Sequence, residues 1–385
     1  MDRLYYRSLC LLDNMEQTKI TFAKEIGFRK ELNRRVKDYF RSENISPRDN
    51  PAMYLKTAVL LGWMISAWTF ILFAPVSGWM RLIGCVILAF GMAGFVFNVG
   101  HDANHGGYSN NKYVNYILGL TYDFMGVSSY LWRYRHNVLH HTYTNIPGHD
   151  VEIDGDGWVR MYPTQEYRWY YRFQHIYIWF IYCLVPLYWS YCDVNLILSK
   201  GKYHNHVIPT PKLSEKITLL GFKVIWLGYV IGIPLAVGYT PWQVFLGVAV
   251  TFMTYGLVIN IVFMLAHVLD SAEFLTSESE QIHIEDEWAI FQLKTTVDFA
   301  PKNHFINWYV GGLNYQAIHH LFPKVCHIHY PKIAKIVQEV CQEFGVEYKV
   351  YETFGGILSS NYRWLKALGR APATTKRVSV VNSTV

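Results

Sequence analysis

From Val224 to Leu269 the chain runs for 46 residues without an Asp, Glu, Lys or Arg, interrupted in its middle only by Gly238-Tyr-Thr-Pro241. A stretch of that length with one turn signal at its centre predicts a helical hairpin, because about 20 apolar residues in a helix cross the hydrocarbon core of a bilayer. Two more uncharged runs, Thr57 to Met80 and Leu82 to Gly100, have the same character. None of these segments carries the polar stripe at a period of 3.6 residues that a helix on a soluble protein shows. Hydrophobic residues make up 51% of the chain and aromatic residues 17%, which suits a polytopic membrane protein once charge is distributed this way.

The fold class expected is an all-α membrane protein with four transmembrane helices, at about 57–78, 80–100, 217–238 and 241–266. The domain layout expected is a cytoplasmic segment 1–54, a main domain 55–370 and a disordered tail 371–385. No short apolar core with a small-residue cleavage site occurs at the N-terminus, so the first span is expected to act as the insertion signal. Eleven Lys and Arg lie between Met1 and Tyr54, whereas the turns Val76 to Met80 and Gly238 to Thr240 hold none. The positive-inside rule then puts both termini in the cytoplasm. Tyr113 to Trp132 and Phe173 to Cys192 are also long enough to cross, but either crossing would separate histidine groups that could otherwise share one site. Rich in Tyr and Trp, both are expected to lie at the interface.

A net charge of +6, with no basic cluster interleaved with aromatics, argues against nucleic acid as a partner. The six cysteines form no CxxC pair, which excludes the usual zinc and iron-sulfur spacings. The acidic run Asp150-Val-Glu-Ile-Asp154-Gly-Asp156 is out of register for a calcium loop, since position twelve is Met161. Its acids are read as partners of metal-holding histidines or as loop surface.

The chemistry sits in the histidines. His101-Asp-Ala-Asn-His105 and His136-Asn-Val-Leu-His140-His141 follow the second span; Gln316-Ala-Ile-His319-His320 follows the fourth, and His267 stands at that span's end. Residues four apart share one face of a helix, so each HxxxH pair can aim two imidazoles at one ion. Eight imidazoles exceed the needs of one tetrahedral ion and argue for two. Imidazole suits zinc, copper, iron or nickel; a redox pair beside an apolar, bilayer-buried channel favours iron, because attack by O2 on an unactivated hydrocarbon needs it. His149, His175, His204, His206, His283, His304, His327 and His329 are read as structural, with His304 and His327 the ones most worth testing.

His101-Asp-Ala-Asn-His105-Gly, His136-Asn-Val-Leu-His140-His141-Thr-Tyr-Thr-Asn145 and Gly311-Gly-Leu-Asn-Tyr-Gln316-Ala-Ile-His319-His320-Leu-Phe-Pro323 resemble the three histidine boxes of membrane fatty acid desaturases. Gln316, in place of the first histidine of the third box, resembles the front-end branch, which inserts a double bond between an existing one and the carboxyl end. From about Glu25 to Gly369 the chain is similar to cyanobacterial Δ6 acyl-lipid desaturases, including Trp132-Arg-Tyr-Arg-His136, Gly148-His-Asp-Val-Glu-Ile153 and Asn361-Tyr-Arg-Trp364. The resemblance implies iron ligation by His101, His105, His136, His140, His141, His319 and His320, with His267 as an eighth ligand and Gln316 as a further candidate. It implies two irons, O2 as co-substrate, a linoleoyl or α-linolenoyl lipid substrate and a thylakoid or plasma membrane setting. No His-Pro-Gly-Gly haem motif and no GxGxxG occurs in the chain, so electrons are expected from a separate protein, by resemblance ferredoxin. Arg363, Lys366, Arg370, Lys376 and Arg377 could attract such an acidic partner or face the membrane. A hydroxylase or acetylenase on the same scaffold, a zinc-dependent membrane hydrolase or receptor, and a structural or transport protein are the alternatives at this stage.

Overall fold

A computed structural model of the chain describes residues 19–198, 201–203, 206–275 and 281–370. The tail 371–385 lies outside them, as do Cys10, His204, Lys376 and Arg377. Helix α1 (Phe28–Ser42) precedes two long apolar helices, α2 (Pro51–Phe73) and α3 (Gly78–Phe95), and α3 runs on through a π turn (Val96–Gly100) into the short helix His101–His105. Next come α4 (Lys112–Gly119), two single-turn helices (Thr121–Phe124 and Ser129–Trp132), a π segment (Arg133–His140) and the long helix α5 (Gln174–Leu198). The second apolar hairpin is α6 (Leu213–Leu227), prolonged to Ala236, and α7 (Pro241–Leu265). The remainder folds into α8 (Trp288–Thr295), α9 (His304–Tyr309), α10 (Gln316–Leu321), α11 (Tyr330–Phe344) and α12 (Phe354–Leu368).

The chain is mostly helical but not all-α. Short two-stranded ladders pair Lys19–Phe22 with Gln281–Ile284, Lys202–Tyr203 with His206–Val207, and Asp298–Phe299 with Val350–Tyr351. Among the described residues, five helical stretches are long and apolar enough to cross a membrane: Pro51–Phe73, Gly78–His105, Trp169–Leu198, Leu213–Ala236 and Pro241–Leu265. The first begins six residues before the uncharged run, because Asn50 caps it by accepting from Ala52 N at 2.9 Å and Pro51 occupies its first turn. Lys56, where the charge pattern ends the run, lies inside the helix with its ammonium buried. The stretch expected as one interfacial helix, Tyr113 to Trp132, is instead three short ones: the chain turns at Leu120 and again at Gly126 (φ +87°), and Ser128 caps a new helix.

Two clasps fix the helical core at opposite ends. At one end the Tyr239 hydroxyl donates to the carbonyls of Ile71 (2.8 Å) and Leu72 (3.0 Å), while the Arg81 guanidinium donates to Ile71 O (2.6 Å) and Ala74 O (2.9 Å), so both hairpin turns meet there. At the other end Asn98, in the π turn, donates to Tyr309 O at 2.8 Å and to Gly94 O at 2.7 Å. Gly311, with φ +62°, lies so close that a Cβ would sit 2.6 Å from Phe97 O. This approach seats the segment before α10 directly on the extension of α3.

Helix α5 crosses α7 with no room for a side chain at Gly256, where a Cβ would stand 2.6 Å from Tyr182 O and 2.7 Å from Cys183 O. Gly256→Val is therefore expected to cost about 1–3 kcal/mol. The check is the melting midpoint of detergent-solubilised protein, with Gly247→Val as a control, since a Cβ there meets nothing closer than Cys85 Sγ at 3.7 Å.

Candidate metal centre

Eight histidines from four stretches of chain meet at the shared end of α3 and α7, and none is more than 7% exposed. His101, His105, His136 and His319 form one group and His140, His267 and His320 a second, the potential ligand nitrogens within each lying no more than 4.8 Å apart. His141 stands between them. Its Nε2 is 3.0 Å from His319 Nε2 and 3.3 Å from His136 Nε2, and its ring stacks on that of His320 at 4.3 Å. Gln316 joins the second group, its amide 3.0 Å from His267 Nε2 and 3.5 Å from His320 Nε2. Every site residue expected from sequence is in this cage.

The second box reaches both groups because of how it is wound. Arg133–His140 is a π helix, and His141 N donates to His136 O five residues back. A π ladder takes roughly 4.4 residues per turn, so residues four and five along straddle the first one. In an α-helix the fifth residue would point well away.

The ring edges facing outward are held by oxygen atoms. Asp150 carboxylate oxygens lie 3.0 and 3.1 Å from His140 Nδ1, Gln292 Oε1 lies 2.8 Å from His320 Nδ1, Thr295 O is 3.4 Å from His267 Nδ1, and the Tyr330 hydroxyl is 3.3 Å from His319 Nδ1. Fixing Nδ1 in this way leaves Nε2 free to point inward with its lone pair exposed, the arrangement found around metal-bound histidine. Asn145, at φ +57°, donates to the carbonyls of His267, Glu273 and Thr295 and so ties the second box to the loop beyond α7.

Burial, reinforced by the neighbouring imidazoles, pushes His136, His141, His319 and His320 well below the ordinary histidine range, and burial does the same to His267. Burial also acts to lower His140, but the Asp150 carboxylate outweighs it and raises this one. His141 Nε2 faces both His319 Nε2 at 3.0 Å and His136 Nε2 at 3.3 Å, and wherever neither nitrogen of such a pair carries its ring's one proton, two lone pairs meet and repel. Two nitrogens each about 2.1 Å from one cation stand about 3.0–3.4 Å apart. His101 Nδ1 and Nε2, His105 Nε2 and His141 Nδ1 have no hydrogen-bond partner. The donor set fits metal ions, which would give His105 Nε2 and one of the two His101 nitrogens a partner.

Other histidines sit elsewhere. His304 is exposed at the start of α9, His283 contacts Thr21 between strands, His175 packs on Tyr362 and His329 on Phe40. His149 and His206 meet each other, Nδ1 to Nε2, at 3.0 Å. His327 is the exception among those read as structural: its Nδ1 lies 2.9 Å from Asp102 beside His101, and its Nε2 lies 3.0 Å from the buried Lys56 ammonium. Only the position of Asp102 inside the first box could have pointed to that chain. Asp298, also missed, accepts from Ala317 N at 2.9 Å and from the Tyr348 hydroxyl, and so anchors the first turn of α10 beneath Gln316. A cavity of about 640 Å³, mostly apolar, lies between α3 and α7 toward the end marked by Arg81 and Tyr239, away from the cage.

Two predictions follow from these supports. Asp150→Ala removes the group that orients His140, and is expected to weaken metal retention about 10–100-fold in competition with a graded chelator. Burial raises the Asp298 carboxyl to about 7. The folded state therefore holds a proton that the unfolded chain releases near 3.8, so ionisation costs stability progressively as pH rises from about 4 through 7. Asp298→Asn should shed that cost, with a melting midpoint that gains on the parent between pH 5 and pH 8.

Residues 77–352 match the sequence profile of the family described as Fatty acid desaturase. An sn-1 linoleoyl-lipid 6-desaturase of Arthrospira platensis is 60% identical over 93% of this chain and 96% of its own length. A second protein of that name from Synechocystis is 58% identical over 92% of this chain and 98% of its own. An acyl-lipid (8-3)-desaturase of Physcomitrium patens is 34% identical, over 88% and 71% respectively.

Proposed function

The chain belongs to the fatty acid desaturase family, and from that premise we propose that it inserts a double bond at carbon 6 of linoleoyl and α-linolenoyl chains while they remain esterified in a membrane lipid. The observation that carries this reading is the convergence of eight buried imidazoles and one amide into two adjoining metal-sized groups, in a chain so similar to two linoleoyl-lipid 6-desaturases. The enzyme is an oxidoreductase. Two adjacent methylenes of the substrate each give up one hydrogen, and O2, with two external electrons and two protons, leaves as two waters.

His101, His105, His136, His141 and His319 would hold one iron. His140, His267 and His320 would hold the other, with His141 lying against both groups and the Gln316 amide oxygen on the second. Bound there, the irons supply the one-electron chemistry that reduces O2 and breaks an unactivated C–H bond. The protein's part is to keep His136, His141, His267, His319 and His320 neutral by burial, to fix the rings of His140, His320, His267 and His319 through Asp150, Gln292, Thr295 and Tyr330, and to exclude water from the reacting carbons. Gln316, lacking a second imidazole's basicity, leaves the second ion a weaker donor on one side.

Four crossings, α2, α3, α6 and α7, with both termini cytoplasmic, fit this site. His140 precedes and His267 follows three long apolar helices, yet their ring centroids are 4.6 Å apart, so an even number of the three must cross. The α6–α7 turn reaches the remote clasp at Ile71 and Arg81. Helix α5 has both ends on the histidine side: Gln174 bonds to Leu365 O and Arg160 O, and Asp193 accepts from Ser128 N. It is the one that lies at the interface. A cyanobacterial thylakoid or plasma membrane is the setting, and reduced ferredoxin the electron source, drawn to basic groups such as Arg363 and Arg370.

Expression in a host that makes linoleate but no γ-linolenate tests the reading. A new fatty acid with its double bond at carbon 6, located by gas chromatography and mass spectrometry, is expected, together with about two irons per purified chain. A bond at another carbon, or a hydroxyl or triple bond, would replace the 6-desaturase reading.

A further inference from the structure

Methylenes along an acyl chain are chemically alike, and an apolar wall separates neighbouring positions by only about 10–200-fold. An enzyme that counts from the carboxyl end therefore needs a polar contact with that end, and a site built to hydrogen-bond its substrate discriminates far more strongly. An extended chain advances roughly 1.2 Å per bond, so the carbonyl lies about 6 Å from carbon 6. The anchor must be a buried donor close to the cage.

Arg135 meets that description. It is the residue before His136 and is 5% exposed. Its Nε donates at 2.9 Å to Glu152 Oε1, and the same oxygen is 3.9 Å from His136 Nδ1, which places the guanidinium within about 7 Å of that ring. The guanidinium carbon is 3.8 Å from the centre of the Trp189 ring in α5. Stacked on one side and paired along one edge, the group has a fixed plane, and its Nη2 is buried with no hydrogen-bond partner. A buried unsatisfied donor is destabilising, and a substrate acceptor would relieve that cost. Glu152 balances the charge, so the position suits a neutral carbonyl rather than a carboxylate or phosphate. Trp189 belongs to the helix read above as interfacial, which is the depth at which a lipid ester sits.

We propose that Arg135 anchors the carboxyl end of the acyl substrate, its Nη2 donating to the ester carbonyl oxygen and so setting which carbons reach the metal cage. This rests on the acyl-lipid reading given above. Glu152 and Trp189 are positioning residues for the anchor.

The test uses the full-length, iron-loaded enzyme with its electron donor in phosphatidylglycerol vesicles, comparing an sn-1 linoleoyl ester with the same lipid bearing an sn-1 ether in place of the ester. Loss of the carbonyl is expected to lower kcat/KM of the parent enzyme about 10–100-fold and to scatter the new double bond over neighbouring positions. Arg135→Met should bring the ester down to the level of the ether, abolish the difference between them and retain iron; Arg135→Lys should restore part of the ester preference. Equal use of ester and ether by the parent overturns the proposal, as does an Arg135→Met enzyme that keeps the ester preference. Loss of iron from both variants also overturns it, because Arg135 then only supports His136. Should the parent place its bond away from carbon 6, the 6-desaturase reading fails by itself, while the ester-to-ether ratio still decides the role of Arg135.

Discussion

Imidazole nitrogens that face one another across 3.0–3.3 Å, buried from solvent, set the terms for the rest of this molecule. Burial disfavours charge on them, and lone pairs that meet head-on repel, so a cation admitted between the rings would stabilise the arrangement. The oxygen atoms of Asp150, Gln292, Thr295 and Tyr330 hold four of the rings, those of His140, His320, His267 and His319, from behind. They come from three stretches of chain, the loop at Asp150, α8 and the start of α11, which cross-links the polypeptide beyond the helical core around the site.

That core acts as a frame. Helices α3 and α7 run in the same direction and end at the cage, while the turns that begin them are clasped together by Arg81 and Tyr239 at the other end. The extension of α3 through its π turn carries the first histidines past the end of the apolar run, and Asn98 with Gly311 fixes the third box against it. A shift at any of these contacts would move the imidazoles relative to one another.

Helix α5 shows how one element serves both fold and chemistry. Pressed on Gly256 of α7, it brings Trp189 over Arg135, the residue before His136 of the histidine cage. One guanidinium thereby joins this long apolar helix to the edge of the cage.

Uncharged runs, turn residues and histidine spacing are local properties, and they determined the long apolar helices, the hairpin at Gly238 and the eight imidazoles together with Gln316. The same locality misled at Lys56, whose charge ended a span on paper but is absorbed by His327 and the face of Trp308, and at Tyr113 to Trp132, where composition hid two chain reversals. Only the tertiary structure decided which histidines share a group, that the second box winds as a π helix, and that Asp150, Gln292, Asp298 and Arg135 stand where they do. Such pairings depend on distances between residues far apart in the chain, and a sequence carries no measure of those until backbone packing, here as close as Phe97 O against Gly311, brings the segments together.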